Sequence, residues 1–313
     1  MALTRNRLIQ VKKESTYGTS SSPQSIDTLL VRNLEITPIE ADVVSRDLIR
    51  GYFGSSPQLL ANTRVSTTFQ VEMAGSGTAG TAPRYGCILQ ACGLSETIVN
   101  NTSVTYAPVS SSFSSATIYF NNDGTRHILT GCRGTFTLNA EVGQIPTIDF
   151  TMIGVYNAPH DWPSVEPQAG GIFSAQASPL IFKQGNTSGF QFFSYNGCLQ
   201  SVSLDIANET VYRELVGCTK NVLITNRAPN GTVMIEAVSL TTKDFFSIAQ
   251  TETTGNLTFL HGTTAGNRVT LLSGQCDITN PTYADQDGVQ MLSIPYVALP
   301  TTAGNDELSL AFT

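Results

Sequence analysis

Ala116-Thr-Ile-Tyr-Phe120, Asn121-Asn-Asp-Gly124 and Arg126-His-Ile-Leu129 decide the fold class. Two runs rich in β-branched and aromatic residues flank Asp-Gly, which supplies the positive φ angles of a tight hairpin turn. The spacing predicts an antiparallel hairpin. Upstream, Arg64-Val-Ser-Thr-Thr-Phe-Gln-Val-Glu-Met73 alternates with period two, and downstream residues 134–138 and 148–153 read as a second antiparallel pair. One short helix is expected at residues 83–92, with Pro83 in its first turn, Tyr85, Ile88, Leu89 and Cys92 on one face, and Gly93 at its end.

The second half of the chain predicts the same order. Strand material at 198–206 is followed by 221–225 and 232–238, joined through Pro229-Asn-Gly231. A helix is expected at 242–250 with Thr242 as its N-cap and Phe245, Phe246 and Ala249 inward, and strands return at 257–260, 268–272 and 289–298. Residue matches follow the same path. Arg46-Asp-Leu48 matches Arg213-Glu-Leu215, and Phe69-Gln-Val-Glu72 matches Val233-Met-Ile-Glu236. The run from Gly131 to Leu138 echoes that from Gly274 to Thr279, and Ala158-Pro159 echoes Leu299-Pro300. Four matches in one order predict an internal duplication. The expected organisation is an N-terminal arm at 1–30, a first domain at 31–158, a Pro- and Gly-rich linker at 159–189 and a second domain at 190–313.

With 313 residues and 41% hydrophobic content the chain can bury a substantial core, which excludes global disorder. The net charge of −7 disfavours a protein built to grip nucleic acid, and no apolar run is long enough to span a membrane as a helix. No secretory signal is read at the N-terminus. The six cysteines form no C-x-x-C pair and read as reduced, mostly buried thiols. Gly75-Ser-Gly-Thr-Ala-Gly80 fits G-x-G-x-x-G, but the preceding strand is amphipathic and an antiparallel hairpin follows, so a glycine-rich connection explains it better than a dinucleotide site. His127, His160 and His261 lack metal-site spacing, and no nucleophile motif marks a catalytic centre. Asp285-Gln-Asp-Gly288 opens like a calcium loop, but Tyr296 stands where the closing Glu belongs, so a turn is expected. No enzyme activity, cofactor or metal is expected.

Residues 40–61 lie between two strand candidates and are long for a hairpin connection. They hold Asp42, Arg46, Asp47 and Arg50 around Gly51-Tyr-Phe-Gly54, a mixed-charge segment with an aromatic centre that suits docking on a protein surface. The arm carries Arg5, Arg7, Lys12 and Lys13 before its first acid, Glu14, whereas residues 190–313 sum to −6.

The stretch Met73-Ala-Gly-Ser-Gly-Thr-Ala-Gly-Thr-Ala-Pro-Arg-Tyr-Gly-Cys-Ile-Leu-Gln-Ala-Cys-Gly-Leu-Ser-Glu-Thr97 is the most specific part of a longer likeness. It continues through Val104-Thr-Tyr-Ala-Pro-Val-Ser110, the 116–124 run, Gly131-Cys-Arg-Gly134, Ile145-Pro-Thr-Ile-Asp-Phe-Thr-Met-Ile-Gly154 and the ending Gly304-Asn-Asp-Glu-Leu-Ser-Leu-Ala-Phe312. Together these resemble the tail tube (major tail) proteins of long, flexible-tailed bacteriophages. The resemblance implies a mainly β chain of two duplicated β-sandwich or barrel-like domains, each with one short flanking helix. It implies a structural virion protein, made in the host cytoplasm, that polymerises as stacked rings into the tail tube. It further implies partners in the tape measure, tail terminator and distal tail proteins, with duplex DNA passing through the lumen without specific binding.

Rings in this family resemble hexamers of single domains, so two domains per chain predict rings of three chains with pseudo-sixfold symmetry. Ring stacking is expected to use Arg5, Arg7, Lys12 and Lys13 in a mobile arm and Asp42, Arg46, Asp47, Arg50, Tyr52 and Phe53 in a mobile loop. The alternatives are a carbohydrate- or surface-binding β-sandwich adhesin or fibre protein, or a hydrolase on a β scaffold. The first should gather exposed aromatics, yet the chain has one Trp, Trp162; the second lacks a motif.

Overall fold

The Asp-Gly hairpin forms as its turn chemistry requires: Asp123 and Gly124 both adopt positive φ, between strands that pair from Asn122 with Thr125 to Ala116 with Cys132. The computed structural model describes residues 3–162 and 176–313, so residues 163–175 of the expected linker lie outside the described residues. In the first half the strands are β1 (Arg7–Lys13), β2 (Thr28–Leu29), β3 (Arg32–Ser45) and β4 (Gln58–Glu72), followed by the helix α1 (Gly86–Ala91). Then come β5 (Leu94–Val99), β6 (Ser103–Pro108), β7 (Ala116–Asn122), β8 (Thr125–Glu141), β9 (Thr147–Tyr156) and β10 (His160–Asp161). The second half has β11 (Thr187–Phe192), β12 (Leu199–Asp205), β13 (Asn208–Arg213), β14 (Asn221–Arg227) and β15 (Asn230–Glu236), then α2 (Phe245–Gln250). It closes with β16 (Gly255–His261), β17 (Val269–Ile278), β18 (Thr282–Gln286), β19 (Val289–Ala298) and β20 (Ser309–Phe312). The protein is mainly β, with two short helices among the described residues.

The strands stack as two layers around one core. In the first layer β3, β4, β9 and β8 lie side by side, and β8 pairs onward with β12, which is followed by β15, β19 and β18. Each half thus supplies four strands to one continuous sheet. In the second layer β1 pairs β7 and β7 pairs β8, while β11, β16, β17, β20, β6 and β5 run edge to edge. Strand β8 belongs to both layers. It bends at a bulge between Thr130 and Arg133, where Gly131 takes φ +60 and packs against the Tyr17 ring so closely that no Cβ would fit. Strand β17 plays the same double part in the second half, pairing β16 and then β19.

The two halves follow one path of pairings. In the first half β1–β7–β8–β9–β4–β3 are successive neighbours; in the second, β11–β16–β17–β19–β15–β12 are. Phe69 pairs Phe150 as Val233 pairs Ile294, which aligns the expected match in space. The long hairpin β3–β4 corresponds to β12–β13 and β14–β15 together, and Arg46 and Arg213 stand at equivalent points at the base of the two tips. Hairpin β5–β6 has no counterpart between α2 and β16.

Several expectations change. Residues 7–13 are not a mobile arm: they form β1, with Ile9 and Val11 buried, each worth ~1.5–3 kcal/mol of apolar burial. Residues 40–61 are only partly loop, because β3 and β4 stay paired out to Ser45 and Gln58. Pro229-Asn-Gly231 joins β14 to β15 as a kink, and β13 forms where the sequence predicts no strand. Helix α2 starts later than expected, with Asp244 rather than Thr242 at the N-cap and its Oδ1 accepting from Ser247 N at 2.8 Å. Cys198 and Cys218 are exposed, not buried.

Candidate functional site

The shared sheet β3–β4–β9–β8–β12–β15–β19–β18 has two unlike faces, as period-two alternation dictates. One face, with Val65, Phe69, Phe136, Phe150, Val202, Leu204, Val233 and Ile294, is buried in the core. The other presents Ser66, Thr68, Thr151, Thr137, Ser203, Thr232 and Ser293 to the outside. This open face also carries Glu35, Glu72, Glu141, Asp149, Asp205 and Glu236, with Asp277 from β17. Two guanidinium groups oppose them. Arg32 reaches Glu72 at 3.6 Å, and Arg64 contacts Glu40 at 2.5 Å and Asp42 at 3.5 Å. Asp149 is held by Gln70 Nε2 at 2.8 Å and Asn139 Nδ2 at 2.9 Å, each donating to one oxygen. The face is therefore hydroxyl-rich and net acidic.

The β3–β4 hairpin runs beyond the rest of the sheet. Its stem pairs Val43 with Leu60 and Val44 with Leu59, and all four side chains are exposed. Residues 46–57 form the tip, closed by Arg46 N donating to Pro57 O at 3.2 Å. Ile49 and Phe53 are fully exposed and Tyr52 is 71% exposed, with the Arg50 guanidinium 6.0 Å from the Tyr52 ring. Asp47 accepts from Ser45 Oγ at 2.5 Å. Asn62 Nδ2, donating at 2.6 Å, holds the Asp42 carboxyl below the usual range, and Arg64 adds to the effect. Asp42, Arg46, Asp47, Arg50, Tyr52 and Phe53 are thus gathered on one hairpin.

The basic residues of the N-terminal segment lie elsewhere. Arg7 Nη1 donates to Leu34 O at 3.0 Å, near the start of β3, and Ser45 is eleven residues further along, about 36 Å at ~3.3 Å per residue. Lys12 stands 3.9 Å from Asp27, Lys13 Nζ donates to Gln90 Oε1 at 2.5 Å, and Arg5 is exposed in the turn before β1.

The second hairpin, β13–β14, leans across the first half instead of projecting freely. Arg133 Nη1 donates to Val222 O at 2.7 Å, and Val222 N donates to Tyr17 Oη at 2.6 Å. Asn208 Nδ2 donates to Cys92 O at 2.6 Å and Gly134 O at 2.9 Å. Burial lowers the Arg133 pKa and raises that of Tyr17. Val222 is fully buried, while Leu215 and Val216 at the tip remain exposed. Sequence reasoning did not single out this tip, although the Arg46–Arg213 match pointed to it.

At the sheet end opposite the tips, two concavities occupy matching places. One, of about 340 Å³, is lined by Arg32, Gln70, Glu141 and Thr147; the other, of about 290 Å³, by Gln200, Glu236, Gln286 and Met291. The Gly75–Gly80 run meets protein. Gly77 N donates to Gly266 O at 3.0 Å, and a Cβ on Gly75 would stand 2.0 Å from that same oxygen. Asp285 lies in β18, and its Oδ1 accepts from Gly288 N across the β18–β19 turn. No cluster with metal-binding composition occurs among the described residues.

A family model described as phage tail tube protein matches residues 4–298. The chain belongs to that family. No curated protein matches the sequence. The family is a structural one, so this tail tube protein is a virion component that assembles with copies of itself into a tube. Among the described residues no helix is long and apolar enough to cross a membrane.

Proposed function

We propose that three copies of this tail tube protein close into a ring, that the open face of the shared sheet lines the lumen, and that the stacked rings conduct duplex DNA during ejection. One observation carries the reading: two topologically matching halves contribute four strands each to one continuous sheet with a polar, acidic outer face. Three such sheets give about 24 strands. At ~4.8 Å spacing and ~40° tilt the backbone circle is roughly 45–50 Å across, ample for a duplex with side chains and water. DNA carries one negative charge per ~1.7 Å, so a basic wall would hold it through counterion release, whereas this wall gives it no purchase.

The proposal divides the chain as an internal duplication in which β1 and β11 open equivalent units. Stacking falls to the hairpin tips. An exposed two-stranded ribbon with apolar residues on both faces is marginal alone and calls for a partner. Tyr52, Phe53 and Ile49 supply the anchors, and Arg46 and Arg50 meet the acids Glu141, Glu236 and Asp287 around the concavities of the next ring. The basic strip Arg5, Arg7, Lys12 and Lys13 adds attraction at low salt only. The tape measure, terminator and distal tail proteins would meet the tube's inside and ends.

Electron microscopy of concentrated protein tests the reading. Hollow stacked rings with threefold, near-sixfold symmetry are expected. Six complete chains per ring would refute the three-copy ring, and only discrete monomers under all conditions would refute the tube reading for this chain in isolation.

A further inference from the structure

The sheet that joins the two halves ends in two open edges. Among the described residues β3 pairs only β4, and β18 pairs only β19, so each leaves one row of backbone groups free. These edges correspond to the two strands that meet inside the chain. Leu138 of β8 pairs Ile148, as Tyr283 of β18 pairs Leu292; Ile148 and Leu292 are equivalent because the next inward residues, Phe150 and Ile294, pair Phe69 and Val233. Likewise Leu204 of β12 pairs Gly231 as Ile36 of β3 pairs Thr67. The internal junction sets Leu138 opposite Leu204 and Asn139 opposite Ser203.

We propose that β18 of one copy pairs antiparallel with β3 of the next copy, Tyr283 opposite Ile36 and Ala284 opposite Glu35, so that the junction between copies repeats the junction between halves. The inference rests on the ring reading above and adds its register. The side chains agree with it. Tyr283 is 59% exposed and Ile36 half-buried, where their internal counterparts Leu138 and Leu204 are fully buried, and both stand on the core side of the sheet. On the lumen side Thr282, Ala284 and Gln286 would face Thr37, Glu35 and Asn33, as polar as Thr137, Asn139 and Glu141 facing Asp205, Ser203 and Ser201. A head-to-tail contact of this kind closes into a ring when its rotation divides the circle.

The same equivalence assigns the hairpin stem. Gln58, Leu59 and Leu60 correspond to Val222, Leu223 and Ile224, the segment of β14 that lies against the first half. The exposed stem of β3–β4 would lie across the second half of the neighbouring copy in the same way. At the internal junction the tip stays uncovered, which leaves Tyr52 and Phe53 for the next ring.

Cysteine cross-linking tests the register, with Cys198 and Cys218 first replaced by Ser. Ala284→Cys chains mixed with Glu35→Cys chains should give disulfide-linked dimers on oxidation, and the double variant should give a ladder ending at a covalent trimer. An Ala284→Cys/Thr37→Cys variant, displaced by two residues or ~7 Å, should link at least tenfold more slowly. Both sites are on the monomer surface, and an unchanged unfolding midpoint verifies the fold of each variant. Rings seen by microscopy without the 284–35 link, or with the 284–37 link formed as fast, would overturn the register and leave the tube reading standing. A parent protein that forms no rings, and variants that form no link, would overturn both.

Discussion

Replacing both Tyr52 and Phe53 by Ala should abolish long tubes while leaving the subunit intact. Both side chains are largely or fully exposed in the single chain, so the subunit's stability should change by no more than about 0.5 kcal/mol. Docked on a neighbouring ring they would be buried. Full burial of one such side chain is worth ~1.5–3 kcal/mol, so the lower bound for the pair is about 3 kcal/mol per copy. In the proposed ring of three copies the loss would be about 9 kcal/mol per ring junction, which is about six powers of ten in the stacking constant. Exposed charge pairs at Arg46 and Arg50 would add ~0.2–1 kcal/mol each and cannot compensate. The assay is sedimentation of assembled protein against total concentration, paired with micrographs of the pellet. The variant should stay in the supernatant as subunits or single rings at concentrations where the parent pellets completely. Parent-like pelleting and tube length in the double variant would show that the tip is not the stacking element.

Charge reversal at Arg5 and Arg7 should weaken stacking at low ionic strength and have little effect at 0.5 M salt, measured as the shift in critical concentration. Glu14→Ala should destabilise the subunit by roughly 3–5 kcal/mol in urea unfolding. The buried carboxylate accepts from Gly18 N, Gly131 N, Ser115 Oγ and Thr117 Oγ1, and its loss leaves those donors unpaired beside β1. Gly75→Ala should lower the melting temperature because its Cβ meets Gly266 backbone, whereas Gly274→Ala, with open space around it, should change little. His261 has its pKa lowered by burial, with Nδ1 at 2.9 Å from Thr187 Oγ1 and Nε2 at 3.1 Å from Leu180 O. A base held neutral in the folded state adds stability above its unfolded pKa of ~6.5 that is lost as the pH falls through the lower folded value, and His261→Gln should flatten that slope in urea titrations between pH 7 and pH 5.

Local chemistry was legible where one interaction decided the outcome. Asp123-Gly124 fixed a turn by its φ angles, and the alternation of Arg64–Met73 put Val65, Phe69 and Val71 into the core. Non-local pairing was harder. Residues 5–13 carry four positive charges and look like a tail, yet Ile9 and Val11 alternate inward and the strand they form pairs β7 more than a hundred residues away. Nothing nearby in sequence records that partner. The fragment at Arg213 that matches Arg46 marks the second hairpin tip, and with it the exposed Leu215 and Val216. Strand β13 is hard to read from Asn208-Glu-Thr-Val-Tyr-Arg213 because only the polar Asn208 is buried and, among the described residues, the strand pairs β14 alone, so no apolar alternation marks it.

In the proposed three-copy ring, a chain that carries half of the junctions inside itself would still have to protect the other half before assembly. The open edges show how. Strand β18 is five residues long and is cut off from β17 by Asn280-Pro281, where β8 runs on unbroken as the equivalent strand. Strand β3 carries Pro38 and the charged Arg32 and Glu35 along its free edge, and its register breaks three times against β4. Short length, proline and charge are the devices that keep a bare edge from pairing indiscriminately. The internal β8–β12 junction needs none of these, because the chain connection makes its pairing intramolecular, and there Leu138, Ala140, Val202 and Leu204 are fully apolar. In the proposed ring the weaker edge is the one that would open and close. Replacing Pro281 by Val should lengthen β18 toward β17 and strengthen lateral pairing. Rings should then form at lower concentration, with more misassembled aggregate among them, as read by light scattering and micrographs. A variant that assembles at the parent's concentration with no added aggregate would show that the break in this strand does not govern the edge.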